Sequence, residues 1–342
     1  MPKAAVIGLG RIGFEFGLEM NRPQPASHFH CYLQHPDIHA VAGVDIDKIK
    51  RDKIMPEGKC FTYTNVKDML MGFNPDIVSI CTPTPTHKEI VCEVAKWPSV
   101  KAVFLEKPIA QSLREADAII DICEKHNIAL HVNYTRRWSK IYNMARDMLI
   151  KQNIITLHGI HPGPILRTGT HMIDLFNWFI AFQLDRDFTT ISVTAFNSSL
   201  EDYMKGTDDL NINGVINYDE KQAWIIGQQI PYLLFDLTII CKDQRIQIAN
   251  NGEELTLHKV YPSARYEKIQ ELKHVSTMRH VDEESIIYKA IEEICKNMPT
   301  RCSGHTARRA LHIALALHYS ATHENRTVEL NQVPYDYTVR SY

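Results

Sequence analysis

The chain has 342 residues, longer than the ~250–300 at which single hydrophobic cores stop growing, so two domains are expected. With 44% hydrophobic and 23% charged residues, it is neither a disordered nor a fibrous sequence. A formal net charge of -2, from 38 basic and 40 acidic residues, gives no bulk reason to expect a nucleic-acid partner. No apolar run approaches the ~20 residues of a bilayer span, and the first residues run straight into a motif, so a cytoplasmic protein with no membrane partner is expected. The eight cysteines include no C-x-x-C pair, and Cys81 and Cys123 lie in apolar patterns. They read as reduced core residues. His28 with His30, or His158 with His161, could be metal-ligand pairs, but carboxylates at ligand spacing are missing around them, so no metal is expected.

In chain order, short apolar strands are predicted at Ala4–Gly8, His39–Val44, Ile77–Cys81, Val100–Leu105 and Ala129–Val132. Helix-period segments separate them. Thr86 with Glu89, and Ser112 with Glu115, each have the spacing of a capping box opening a helix. Strand–helix alternation predicts an α/β N-terminal region, a Rossmann doubly wound parallel sheet. After a helix around Ile141–Ile150 the pattern changes to β-rich runs at Thr190–Phe196, Ile212–Tyr218, Ala223–Ile230, Leu233–Cys241 and Arg245–Ala249. These predict an α+β C-terminal domain with a large, mostly antiparallel open sheet. Helices near Glu283–Lys296 and Thr306–His323 close the chain. The expected division is 1–132, the parallel-sheet domain, and 133–342, the antiparallel-sheet domain.

Gly8-Leu9-Gly10-Arg11-Ile12-Gly13 is G-x-G-x-x-G at the end of the first strand, and a helix is expected to follow it directly. The first glycine permits the tight turn, the second lets backbone approach a pyrophosphate, and the third lets helix and strand pack closely. Asp45 ends the second strand, where a carboxylate accepts from the adenosine ribose hydroxyls and repels a 2′-phosphate, favouring NAD; Arg11 and Lys48 leave NADP open. The usual spacing is ~20 residues; here it is 45 − 13 = 32, and the stretch from Asn21 through His30 reads as an insertion. Three unusual segments follow strands three, four and five: Thr82-Pro83-Thr84-Pro85-Thr86-His87, Glu106-Lys107-Pro108 and Asn133-Tyr134-Thr135-Arg136-Arg137-Trp138. Open α/β sheets bind ligands at those strand ends.

The glycine motif, Asp45, Cys81-Thr82-Pro83-Thr84 with His87, Glu106-Lys107-Pro108, Asn133 to Trp138 and Gly169-Thr170-His171-Met172-Ile173-Asp174 together resemble the Gfo/Idh/MocA oxidoreductases, named for glucose–fructose oxidoreductase and inositol dehydrogenase. The resemblance runs through essentially the whole chain. It implies that Lys107 contacts the reacting hydroxyl, that His171 is the principal acid/base, and that Asp174 orients His171 or binds a sugar hydroxyl. Thr82 and Pro83 would line the nicotinamide side, with Glu106 near the nicotinamide ribose. Together with Gly8, Gly10, Arg11, Ile12, Gly13, Asp45, His87, Lys107 and Pro108 they form the expected cofactor set. Many relatives carry aspartate four residues before the histidine; here that position is Arg167. Arg167, with Arg136 and Arg137, would suit an anionic group such as a sugar phosphate or a nucleotide-sugar diphosphate. Trp138 would offer a sugar-stacking face, and Asn133 and Thr170 complete the expected substrate set.

The function implied is NAD-dependent oxidation of a secondary sugar hydroxyl to a ketone, for example by a UDP-sugar 3-dehydrogenase. An NAD-dependent glycosidase using transient oxidation and a non-catalytic dinucleotide-binding regulator are the alternatives. The resemblance also implies pairing of sheet faces into a homodimer or homotetramer.

Overall fold

The structure, a computed structural model, describes residues 2–54, 60–184, 190–198, 207–282 and 285–341. The chain forms two compact units, Met1–Trp138 with Asp282–Arg308, and Ser139–Val281 with Arg309–Ser341.

The first unit holds β1 (Lys3–Ile7), α1 (His28–Gln34), β2 (Ala40–Val44), α2 (Lys48–Asp52), β3 (Cys60–Tyr63), α3 (Val66–Phe73), β4 (Ile77–Ile80), α4 (His87–Val94), β5 (Ala102–Leu105), α5 (Leu113–Lys125) and β6 (Ala129–Val132). Its six strands run in the order β3-β2-β1-β4-β5-β6, with every neighbouring pair parallel. β2, β4 and β5 are buried at every position, as expected for strands covered on both faces. The half-buried edge strand β3 has no counterpart among the sequence expectations, because an edge strand lacks the continuous apolar run that marks its neighbours. Ser112 caps α5, accepting from Glu115 N, and the helix buries Leu113, Ala116, Ile119, Ile120 and Cys123 as its spacing predicts. Thr86 does not cap α4: it closes a 3-10 turn, and its hydroxyl bonds Thr82 Oγ1 and Pro83 O instead.

The helix expected directly after the glycines is interrupted. Phe14 N and Glu15 N both donate to Gly10 O, at 2.9 and 3.1 Å, and a 3-10 turn follows at Glu15–Leu18. The chain then makes an excursion and returns at α1, capped by Ser27. There His28 N donates to Ile12 O at 3.1 Å and Phe29 N to Gly13 O at 3.0 Å. In an α-helix those carbonyls receive the N–H four residues on, so His28 and Phe29 stand where residues 16 and 17 would. The excursion is therefore 28 − 16 = 12 residues, 16–27, and removing it from the Gly13–Asp45 spacing of 32 leaves 20, the usual interval. Phe16, on the excursion, packs against two guanidinium groups, Arg11 at 4.8 Å and Arg22 at 4.0 Å from its ring centre.

The second unit contains α6 (Lys140–Met148), β7 (Ile154–Pro162), α7 (Thr170–Leu184) and strands β8 (Ile191–Asn197), β9 (Ile212–Tyr218), β10 (Lys221–Gln228), β11 (Asp236–Cys241), β12 (Gln244–Ala249), β13 (Glu254–Pro262) and β14 (Gln270–Arg279). With β15 (Val328–Glu329) they form a nine-stranded sheet in the order β14-β13-β12-β11-β7-β10-β9-β8-β15. All its pairs are antiparallel except β7 with β10. Alternation sets its faces: Leu157 and Gly159 point at α7, where a Cβ on Gly159 would sit 2.4 Å from Met172 Sδ. The central strand β7, and β13 and β14, were not among the strands expected. Of the two closing helices, α8 (Ile286–Cys295) belongs to the first unit, where Ile287, Ala290, Ile291 and Ile294 pack in one core cluster with Phe29, Tyr32 and Trp138. A division at 133 thus misses the return of 282–308 to the first unit. The last helix, α9 (Gly304–Thr322), contributes to both units.

Candidate active site

In the first unit the strand order reverses between β1 and β4, and that switch point is where an open α/β sheet leaves a crevice at its carboxyl edge. The glycine turn sits there. Gly8 has φ +90°, and a Cβ on it would lie 2.8 Å from the backbone of Cys81. A Cβ on Gly13 would lie 1.9 Å from Gly8 O, the close packing expected of the third glycine. Gly10 has no atom within 4 Å of that position, so its bare backbone faces open space where a pyrophosphate can approach. Asp45 accepts from Leu9 N and Asp47 N, both at 2.9 Å, with Lys50 Nζ at 3.7 Å. It thereby ties the end of β2 to the glycine turn. Arg11 is exposed and Ile12 half-buried.

Across the switch point, Thr82 and Pro83 follow β4 and Glu106-Lys107-Pro108 follow β5. His87 is fully buried: its Nε2 is 2.9 Å from Thr82 O, and its Nδ1 is 3.1 Å from Pro108 O. The ring clips the β4 and β5 loops together through their carbonyls. Burial lowers its pKa, against the partial opposition of those carbonyls.

Glu106 belongs to a buried cluster. One carboxylate oxygen, Oε1, receives Asn133 Nδ2 at 2.6 Å and lies 3.0 Å from His28 Nε2. On the other side of the ring, His28 Nδ1 is 2.9 Å from Ser79 Oγ, which is 2.9 Å from Tyr32 Oη. Burial alone pushes the Glu106 pKa up, but the bonds from His28 and Asn133 and the charge of Lys107 outweigh it and hold the carboxyl below its usual range. Burial holds Tyr32 well above the normal phenol value, so it remains a hydroxyl donor. His28, Ser79 and Tyr32 were not expected here. The signal was the excess spacing after Gly13: with the twelve residues excised, His28 falls on the helix facing β4 and β5.

The remaining segment of this unit departs from expectation in two places. Trp138 is 4% exposed, lies in the core cluster and donates Nε1–H to Glu293 Oε2 at 2.7 Å, so it offers no stacking face. Arg137 is equally enclosed and donates to Arg301 O at 2.7 Å, a structural tie between Arg137 and the Arg301 loop. Arg136 is half-buried, and Asn133 keeps its Oδ1 buried without a partner.

In the second unit a π-helical turn, Ile165–Gly169, leads into α7 and presents His171, half-buried, one residue inside the helix. Asp209 holds this turn: its carboxylate accepts Leu166 N at 2.9 Å, Arg167 N at 3.0 Å and Ser341 Oγ at 2.7 Å. The Arg167 side chain is exposed. Thr170 is not available to a ligand, because it is fully buried and donates its hydroxyl to Leu166 O at 3.0 Å. Asp174 is 1% exposed. Burial raises the pKa of Tyr218; the charge of Arg309 opposes that rise and the charge of Asp174 adds to it.

Glycine turn, parallel sheet and switch-point carboxylate define a dinucleotide-binding α/β unit. Residues 3–134 match the family model GFO_IDH_MocA, described as "Oxidoreductase family, NAD-binding Rossmann fold". Similar curated proteins include myo-inositol 2-dehydrogenase of Thermotoga maritima, 26% identical over 147 residues, or 42% of this chain and 40% of that protein. UDP-N-acetylglucosamine 3-dehydrogenase of Acidithiobacillus ferrooxidans is 29% identical over 136 residues, 40% of this chain and 37% of that one. The matched stretches thus span about two fifths of those relatives. A solved structure of UDP-N-acetylglucosamine 3-dehydrogenase from A. ferrooxidans superposes with a TM-score of 0.72 at 18% identity, covering 95% of this chain and 99% of that one, which establishes the fold across both units. Among the described residues no helix is long and apolar enough to cross a membrane, and no group of three or more metal-ligating side chains is gathered.

Proposed function

We propose that the protein is an NAD-dependent dehydrogenase that oxidises a secondary hydroxyl of a sugar, sugar phosphate or nucleotide sugar, such as a UDP-sugar at its 3-position, to a ketone. The supporting observation is the placement of Glu106-Lys107 at the carboxyl end of β5, beyond the switch point and on the opposite side from Asp45. Asp45 would hold the adenosine ribose and the bare backbone at Gly10 the pyrophosphate, which leaves the β4 and β5 ends to receive the nicotinamide half. When bound, that cofactor supplies the hydride acceptor. The chain's own residues do the rest. Lys107, half-exposed beside the Glu106 carboxylate, receives and positions the substrate hydroxyl. His171 is the second proton-handling group, Asp174 orients His171 or binds a sugar hydroxyl, and Arg167 binds an anionic substituent.

The outward face of the nine-stranded sheet carries Trp224, 47% exposed, between Val215 and His158 of the adjacent strands. A second copy of the chain is the proposed cover, giving a homodimer or homotetramer. Light scattering showing a monomer at assay concentration would remove that part of the reading.

The test is NADH formation with inositols, free sugars, sugar phosphates and UDP-sugars, using NAD⁺ and NADP⁺ in parallel. Turnover with one substrate class, lowered ~10²–10⁴-fold by Lys107→Met, is the expected result. Lys107→Met within a few-fold of wild type would end the proposal. Silence across the panel with NAD⁺ still bound would point to transient oxidation with no net NADH, or to a regulator.

A further inference from the structure

We propose that His28 is a positioning residue: by clamping Glu106 and Asn133 at the β5 and β6 ends, it sets the polar groups that receive the nicotinamide half of the cofactor. The inference rests on the reading above, that the nicotinamide lies over the β4 and β5 ends.

The hydrogen-bond directions make the case. Glu106 is an ionised carboxylate and so accepts only. The bond from His28 Nε2 at 3.0 Å therefore requires a proton on Nε2. On the far side of the ring, Nδ1 lies 2.9 Å from the Ser79 hydroxyl, which donates to a neutral ring and accepts from a protonated one. Ser79 Oγ in turn bonds Tyr32 Oη at 2.9 Å. The line from Tyr32 through Ser79 and His28 to Glu106 is unbroken in either case, so the ring is held from both sides. The same carboxylate oxygen takes Asn133 Nδ2–H at 2.6 Å, which fixes the flip of that amide. Asn133 Oδ1 is then the one acceptor of the cluster that is buried without a protein partner. Glu106 is the member of the cluster that reaches the surface, its side chain 12% exposed, and the ribose and carboxamide of a nicotinamide nucleotide carry O–H and N–H donors that a carboxylate can accept.

Asp45 and Gly10, which would hold the other half of the cofactor, make none of these contacts. The two halves can therefore be probed separately. ADP carries only the adenosine and pyrophosphate groups, whereas NADH carries the nicotinamide riboside as well. The experiment titrates NADH and ADP, by fluorescence and calorimetry, into His28→Leu, His28→Gln and Tyr32→Phe. Glutamine places an N–H₂ near the position of Nε2, while leucine fills the space with no donor. His28→Leu is expected to weaken NADH by about 10–100-fold, the loss of a bond to a charged group, with ADP unchanged. His28→Gln is expected to recover most of that loss. Tyr32→Phe, which removes the last donor of the line at almost constant volume, is expected to give a smaller loss of NADH affinity in the same direction, and it serves if His28→Leu does not fold. Leucine binding NADH as well as glutamine does would assign His28 to packing and overturn the proposal. An equal loss of ADP and NADH would overturn it as well. These titrations need no sugar, so a silent substrate panel leaves this test intact.

Discussion

The two units hold their functional turns by opposite means. In the first, the glycine turn is fixed by contacts within its own motif and the strand ends beside it. Gly13 packs on Gly8, Gly8 packs on Cys81, and Asp45 holds Leu9 N. In the second, the turn that presents His171 is fixed from afar. Asp209 caps it from 42 and 43 residues downstream, and Ser341 holds Asp209 from a further 132 residues on. Contiguous constraint is cheap to recognise in a sequence and hard to alter in a protein. Distributed constraint is the reverse: it is invisible to spacing and divides into separable, smaller contributions.

The largest effect should come from the glycines. Gly13→Ala must move Gly8 O and is expected to abolish measurable NADH and ADP binding and to lower the melting temperature. Gly10→Ala meets no protein atom, so it should leave the melting curve unchanged while weakening both nucleotides. Equal thermal effects of the two would break the claim that the motif holds itself together.

A pH effect follows from β6 of the first unit. Burial drives the His131 pKa down to about 4, with Glu293 opposing. The folded value lies below the unfolded one of ~6.5, so the unfolded chain binds the proton more readily in between. Stability is therefore full above pH ~6.5 and is lost as pH falls toward the folded value, by about 3 kcal/mol in all. His131→Leu should flatten the part of the acid-side fall in denaturant midpoint that lies in this window. An unaltered slope would argue against it.

The second unit should respond in smaller steps. Asp209→Ala strands two backbone N–H groups and is expected to cost about 1–3 kcal/mol in urea unfolding. Ser341→Ala, one bond further out, should cost about 0.5–1.5 kcal/mol. An Asp209→Ala protein as stable as wild type would mean the turn is held by something else. The smallest perturbation expected is deletion of 16–27, which joins Glu15 to His28 and makes the bonds to Ile12 O and Gly13 O ordinary helical ones. ADP binding should survive with a melting point lowered by a few degrees, chiefly for the lost packing of Ala26 and Ser27, which are buried. Failure to bind ADP would show that the excursion is part of the first unit's scaffold.

The same contrast explains what could be read in advance. Five of the six parallel strands, the tight turn at Gly8, the close packing at Gly13 and the Ser112 cap follow from local pattern. So does the antiparallel character of the second sheet. The central strand β7 escaped because Thr156, His158, Gly159 and His161 dilute its apolar alternation, although Leu157 and His161 are both fully buried. The polar strands β13 and β14 lie at one edge of the sheet, with little to bury. Trp138 and Arg137 had the composition of a sugar site, but their environment is set by α8 and the Arg301 loop, which lie some 150 residues away in the chain and cannot be anticipated from their own neighbourhood. His28 was legible in principle, through an arithmetic mismatch, and only structure shows where the surplus residues leave and rejoin the helix.

That splice has a practical meaning. The excursion's two ends are already brought together by framework bonds, so the closure entropy of whatever lies between them rises only slowly with length. Met20, 90% exposed, is near its middle. The site is in effect a cassette: epitopes, fluorophore attachment points or whole small domains can be exchanged there while the helical phase beyond it is kept. A reporter so placed would ride on the nucleotide-binding unit a few residues from Arg11 and the glycine turn.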